Sequence, residues 1–170
     1  MKILPEPFEL KDAEDQDTFR YRQYQTALLE EGDMLYRIYT PGHNHLVKTL
    51  ADVVDPIREQ GSCWIDQTTY MMLFRAAGGS QYIQSFATRS LLAVKSEWNP
   101  AMSRLATAVV EADFKAAYGL IKWQPLTNTN VVLMGGGYQV FVLLKDADKL
   151  KIISDTDIRP EANVATKIQL

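Results

Sequence analysis

Three places in this 170-residue chain put a polar or reactive side chain where an apolar strand or a glycine turn would hold it. The first is Arg37, inside the run Leu35-Tyr36-Arg37-Ile38-Tyr39. An isolated charge on a strand usually faces water. A guanidinium on a rigid strand also offers a planar fork of donors to a phosphate or carboxylate, and the residues alone leave both readings open. The second is Gly61-Ser62-Cys63-Trp64. Glycine lets a ligand approach the backbone, serine brings a hydroxyl, and tryptophan brings a face that stacks on planar rings. A turn followed by a core tryptophan accounts for the same residues. The third is Gly135-Gly136-Gly137-Tyr138-Gln139, which runs into the apolar stretch Val140 to Leu144. Spaced glycines opening a helix would suggest a dinucleotide phosphate loop, but here a strand follows. Gln139 is then an amide at the mouth of an apolar strand, either a structural hydrogen-bonder or a ligand contact.

The remaining reactive residues reach less far. His43 and His45 stand two apart after Pro41-Gly42, with no acidic or cysteine cluster nearby in sequence to complete a metal site, so they read as surface histidines. Cys63 is the single cysteine, which excludes an intrachain disulfide and a cysteine-based zinc site and fits a reducing compartment. Nothing local supplies it with a histidine base, so it reads as a buried structural thiol. There is no G-x-S-x-G nucleophile turn.

The elements that must position these residues come from an ordinary globular composition: 46% hydrophobic, 23% charged, 10% aromatic, with 9 Gly and 7 Pro. That is enough apolar surface for one folded domain and too much for a disordered chain. A net charge of −3, with no basic stripe, argues against nucleic-acid binding. No apolar run approaches membrane-span length, and no secretory signal follows Met1.

Residues Met1–Asp17 read as an acidic, extended leader. In Thr18–Glu31, Tyr21, Tyr24, Leu28 and Leu29 share one helical face, which predicts a helix closed by Gly32-Asp33. Met34–Tyr39 predicts a strand with Tyr36 and Ile38 on one face and Arg37 and Tyr39 on the other. A short helix broken at Pro56 is expected within Leu46–Glu59, a short strand or bend over Gly61–Ile65, and a helix over Thr68–Ala77 closed by Gly78-Gly79. Ser90–Val94 predicts a strand. Asn99-Pro100 then predicts the opening of a helix carrying Ala101, Met102, Leu105, Ala106, Val109 and Val110. Asp113–Trp123 reads as extended, Asn130–Met134 and Tyr138–Leu144 as strands, Lys151–Ser154 as an edge strand, and the residues from Asp155 as a polar tail. The sum is an α+β chain with helices early and in the middle and most strands late. It divides into a leader with a helix (1–31), a central domain (32–154) and a tail (155–170).

The order of these motifs carries more than any one of them: Leu35–Tyr39; Gly61, Ser62 and Trp64; Phe74-Arg75-Ala76-Ala77-Gly78; Ser96-Glu97-Trp98-Asn99; Tyr118-Gly119 with Gln124-Pro125; and Gly135-Gly136-Gly137-Tyr138-Gln139. From Leu35 to Leu144 the chain resembles the small bacterial toxin domains with an ADP-ribosyltransferase-like fold, most of all their NAD(P)+ glycohydrolase branch, of the tuberculosis necrotizing toxin type. The resemblance implies two small packed β-sheets with flanking helices and NAD+ or NADP+ held in the cleft between them. It implies Arg37 and Gln139 as catalytic residues, the arginine toward phosphate or ribose. Tyr36, Tyr39, Ser62, Trp64, Arg75 and Gly137 would then contact substrate, although Arg75 is equally well read as a solvated helix charge. It implies no metal and no cofactor beyond the dinucleotide substrate. It further implies a cognate immunity protein as partner, and export by a specialised system into a target cell's cytoplasm.

The residues agree with that chemistry. Nicotinamide in NAD+ is already a cationic leaving group, so its departure through an oxocarbenium-like transition state needs no general acid. A neutral amide can orient a ribose hydroxyl but cannot act as a base, which favours hydrolysis over transfer. Transferases want a carboxylate, often with a polar residue two positions earlier, where this chain has Gly137. An ADP-ribosyltransferase on the same fold and a non-catalytic binding module, suited by the negative charge and the tyrosines, are the competing readings.

Overall fold

The computed structural model describes residues 1–40, 62–76, 85–95, 102–126 and 128–158. The expectations for Pro41–Asn44, the histidines, Leu46–Glu59, Gly61, Gly78-Gly79, Ser96–Pro100 and the end of the tail lie outside them. Among the described residues two antiparallel sheets dominate. The larger has the order β1 (Lys2–Leu4), β2 (Gln25–Leu29), β6 (Phe114–Leu120), β9 (Tyr138–Val142), β4 (Ser62–Trp64). The smaller has the order β10 (Leu150–Asp157), β5 (Arg104–Val110), β3 (Met34–Tyr39). A mutual pair of backbone hydrogen bonds, Tyr36 N to Ile65 O at 2.9 Å and Ile65 N to Tyr36 O at 2.8 Å, ties β3 to the end of β4 and so links the sheets. β7 (Gln124–Pro125) and β8 (Val132–Leu133) form a separate two-stranded ribbon. The helices are α1 (Ala13–Gln16), α2 (Gln67–Ala76) and α3 (Ser85–Leu92). None of the described helices is long and apolar enough to cross a membrane.

The core lies between the two sheets. Leu29, Trp64, Phe114, Ala116, Val140 and Val142 from the larger sheet meet Leu35, Ala108, Val110 and Leu150 from the smaller. The outer face of the small sheet is covered by α2 and α3, with Tyr36, Ile38 and Leu105 packed against Leu73, Tyr70 and Leu91. The outer face of the large sheet is covered by the N-terminal segment, with Leu10 and Phe19 on Ala117 and Phe141.

Three expected elements are corrected. The helix over Thr18–Glu31 is instead a 3-10 turn, Arg20–Arg22, followed by β2. Tyr21 and Arg22 take positive φ of 56° and 55°, which no helix interior allows, and β2 pairs on both sides with β1 and β6. The residues 1–31 therefore supply two strands of the main sheet. The helix expected from Asn99-Pro100 across Val110 is β5, the middle strand of the small sheet, hydrogen-bonded to β3 and β10. The strand expected over Ser90–Val94 is occupied by the end of α3. Among the described residues strands thus occur early as well as late, where helices early and in the middle and most strands late were expected. The strands at Met34–Tyr39, Ser62–Trp64 and Tyr138–Val142, the extended Phe114–Leu120 and helix α2 stand close to where the sequence puts them. The edge strand expected at Lys151–Ser154 is the longer β10, which runs on into the residues read as tail.

Gly119 on β6 is what allows the N-terminal segment to lie flat on the sheet. A Cβ there would stand 2.8 Å from the Gln23 carbonyl oxygen and 2.9 Å from Phe19 Cδ1. Backbone cannot yield as a side-chain tip can, so Gly119→Ala is expected to lower stability by about 1–3 kcal/mol. An unchanged urea midpoint would contradict this close approach.

Candidate functional site

The candidate residues, far apart in sequence, come from three neighbouring strands. β9 pairs with β4, with Val140 opposite Trp64 and Phe141 opposite Cys63, and β4 is tied to β3 at Ile65 and Tyr36. Arg37, on β3, has its guanidinium carbon 5.8 Å from the centre of the Trp64 ring. Its Nη1 is sealed from solvent and makes no hydrogen bond among the described residues. Burial pulls its pKa down to about 10, while the Cys63 thiol works weakly the other way. At neutral pH it is therefore a charged group with spare donor capacity, which is expensive to keep unless an anion meets it.

The tryptophan beneath it is not free. Trp64 is 1% exposed, part of the inter-sheet core, and donates from Nε1 to Ser62 Oγ at 2.8 Å. It supports Arg37 as a cation–π floor rather than offering a face to a ring from solution. Tyr39 is likewise committed, its hydroxyl donating to Asp155 Oδ2 at 2.7 Å. Asp155 also receives Arg104 Nε at 3.1 Å, so these groups lock β3, β5 and β10 together. Arg75 is exposed on α2. Gly137 is buried, and a Cβ there would stand 3.0 Å from Thr69 Cγ2 and 3.3 Å from the Leu91 carbonyl oxygen.

Gln139 alternates with Val140, which faces the inter-sheet core, and so shares the outer face with Phe141. It is 5% exposed, and its Nε2 donates to Thr18 Oγ1 at 2.8 Å. Arg37 therefore lies against Trp64 on the inter-sheet side, whereas Gln139 is on the outer face of the larger sheet, beneath the N-terminal segment. The Cys63 thiol is pushed up to about 11 by burial; the Arg37 charge opposes that and the Asp15 charge adds to it. The Asp15 carbonyl in turn accepts the Thr18 hydroxyl at 2.7 Å. A thiol at that pKa is protonated at neutral pH, in keeping with a structural role. Alkylation of native Cys63 by iodoacetamide at pH 8 is expected to run roughly 100-fold slower than in the unfolded chain. Equal rates would show that the thiol is not raised.

Sequence reasoning missed a second polar group close by. Asp66, 7% exposed, accepts the Thr69 backbone N–H through Oδ1 at 2.8 Å, capping α2, and the Tyr118 hydroxyl through Oδ2 at 3.0 Å. Burial first, and the Asp66 charge second, raise the Tyr118 hydroxyl well above the usual tyrosine range. Tyr118 stacks on Tyr138, centroids 5.1 Å apart and 13° between planes, and Tyr36 stacks on Tyr70 at 4.2 Å and 7°. The cap pattern Asp66-Gln67-Thr68-Thr69 was the one signal that could have found Asp66. Thr18 carried no signal at all.

Among solved structures, this chain is similar in fold to the one described as Rhs1-CT in complex with cognate immunity protein RhsI1, at 21% identity and a TM-score of 0.51, over 81% of this chain and 83% of that one. It is also similar to the one described as Tne2 in complex with Tni2, at 17% identity and a TM-score of 0.50, over 82% of this chain and 95% of that one. No family model and no curated protein sequence matches the chain.

Proposed function

We propose that the chain is an NAD(P)+ glycohydrolase with an ADP-ribosyltransferase-like fold, acting as a bacterial toxin domain. In the proposed reaction the bond between the ribose anomeric carbon and the nicotinamide nitrogen breaks. Its electron pair goes to the ring, whose cation is neutralised. A water oxygen bonds to the anomeric carbon and its proton passes to solvent, leaving ADP-ribose. Arg37 meets a phosphate oxygen of the dinucleotide, and the Gln139 amide meets the ribose.

The observation that carries this reading is the guanidinium of Arg37, buried at Nη1, charged at neutral pH and without a partner for that nitrogen among the described residues. A pyrophosphate is the chemistry such a donor accepts. Two further points favour hydrolysis over transfer. Position 139 is a neutral amide, and the position two before it is a glycine, closely packed against Thr69 and Leu91, that lacks the second polar side chain transfer chemistry uses. The likeness in fold to chains solved in complexes, one of them with a cognate immunity protein, supports an immunity protein as partner here.

Chromatography of the products after incubation with NAD+, and separately with NADP+, tests the reading. Nicotinamide with free ADP-ribose or its phosphorylated form, lost in Gln139→Ala, is the expected result. No turnover at micromolar enzyme would reject a glycohydrolase, and ADP-ribose found attached to an acceptor would replace it with a transferase.

A further inference from the structure

The hydrogen bonds around Thr18 fix which end of the Gln139 amide Thr18 holds. A backbone carbonyl can only accept, so the 2.7 Å contact between Thr18 Oγ1 and the Asp15 carbonyl oxygen commits the one hydroxyl proton of Thr18. Toward Gln139, Thr18 can then only accept. The 2.8 Å contact must therefore be made by the amide nitrogen, as the structure has it. The backbone holds this arrangement in place: Thr18 O accepts from Lys122 N at 3.1 Å, and Phe19 bridges Ile121.

We propose that Thr18 is a positioning residue that pins the NH2 of Gln139 and so presents the amide carbonyl Oε1 to the bound molecule. This rests on the glycohydrolase reading and names the polarity of its site. The group received at Gln139 is a hydrogen-bond donor, an O–H of the sugar next to the breaking bond. The carbonyl is also the negative end of the amide dipole. Facing the sugar, it stabilises the positive charge that develops at the anomeric carbon, whereas a flipped amide would oppose it. That interaction strengthens only in the transition state, so Thr18 acts on kcat more than on KM.

The test uses Thr18→Val, which keeps the shape and removes the acceptor, and Thr18→Ser, which keeps the acceptor. Each is followed by NAD+ kinetics and by the side-chain NH2 signal of Gln139 in a 15N-edited spectrum, assigned with Gln139→Ala. The expected result is a fall in kcat of about tenfold in Thr18→Val with KM little changed, and wild-type kcat within about twofold in Thr18→Ser. The NH2 signal should be protected from exchange in wild type and Thr18→Ser, and exposed in Thr18→Val. An NH2 signal that stays protected in Thr18→Val overturns the pinning. Full kcat with a released NH2 overturns the positioning role. A proportional loss in Thr18→Ser makes the site merely structural. If wild type releases no nicotinamide, the glycohydrolase reading fails, while the NH2 signal still decides whether Thr18 orients the amide.

Discussion

Replacing Arg37 by methionine is expected to move stability and activity in opposite directions. The guanidinium lies over Trp64 with Nη1 buried and without a partner among the described residues. Burial depresses its pKa to about 10, below the usual arginine range. A depressed pKa on a base means that the unfolded chain holds the proton more tightly than the folded one. The charge therefore opposes folding at every pH below about 10, and the penalty fades only as the pH rises from there toward the ordinary arginine range. Methionine keeps an aliphatic stem against the Trp64 ring and removes the charge. The expected gain is roughly 1–3 kcal/mol, read as a higher urea midpoint at pH 7. Nicotinamide release should fall at the same time by about 100-fold, the loss of charge-assisted hydrogen bonds to phosphate. If Arg37→Met is instead destabilised by several kcal/mol, the guanidinium is satisfied in the folded protein and is not held ready for an anion.

The largest loss of stability is expected at Trp64. Its ring is almost wholly buried, fills the space between the sheets beside Leu35, Val140 and Val142, and closes a hydrogen bond to Ser62. Trp64→Ala leaves a cavity that neither sheet can collapse into without breaking the link at Tyr36 and Ile65, and should cost about 3–5 kcal/mol. Against an ordinary total stability of about 5–15 kcal/mol, that leaves a domain close to unfolding at physiological temperature. A loss below 1 kcal/mol by urea titration would mean that the ring is not a core residue, and would restore it as a face open to ligand.

Where the sequence could be read and where it misled follow from the same packing. β3 is legible because Tyr36 and Ile38 face the helices while Leu35 faces the other sheet, so the alternation is visible. β5 is not, because both its faces are covered: Leu105 enters the helix-side core and Ala108 and Val110 the inter-sheet core. A strand apolar on both faces loses its period of two, and its alanines and leucine match a helix equally well. β2 misled similarly: Thr26, Ala27 and Leu29 are buried and Leu28 half-buried, so its apolar run shows no clean alternation. At the site, the unusual residue types Arg37 and Gln139 stand out in the one-dimensional pattern. Their partners do not. Thr18 lies 121 residues before Gln139, and Asp66 lies 52 residues before Tyr118. Tyr39, Ser62 and Trp64 were singled out for their chemistry, and each spends it on another residue of the chain.

We propose that the buried Nη1 of Arg37, without a partner among the described residues, serves a dinucleotide phosphate. The most direct test is calorimetric titration of ADP-ribose, which carries the pyrophosphate and is not consumed, into wild type and Arg37→Met. Saturable binding to wild type, weakened at least about tenfold in the variant while its fold is kept, is the predicted result. Equal affinity in both proteins, or no binding to wild type, would contradict it.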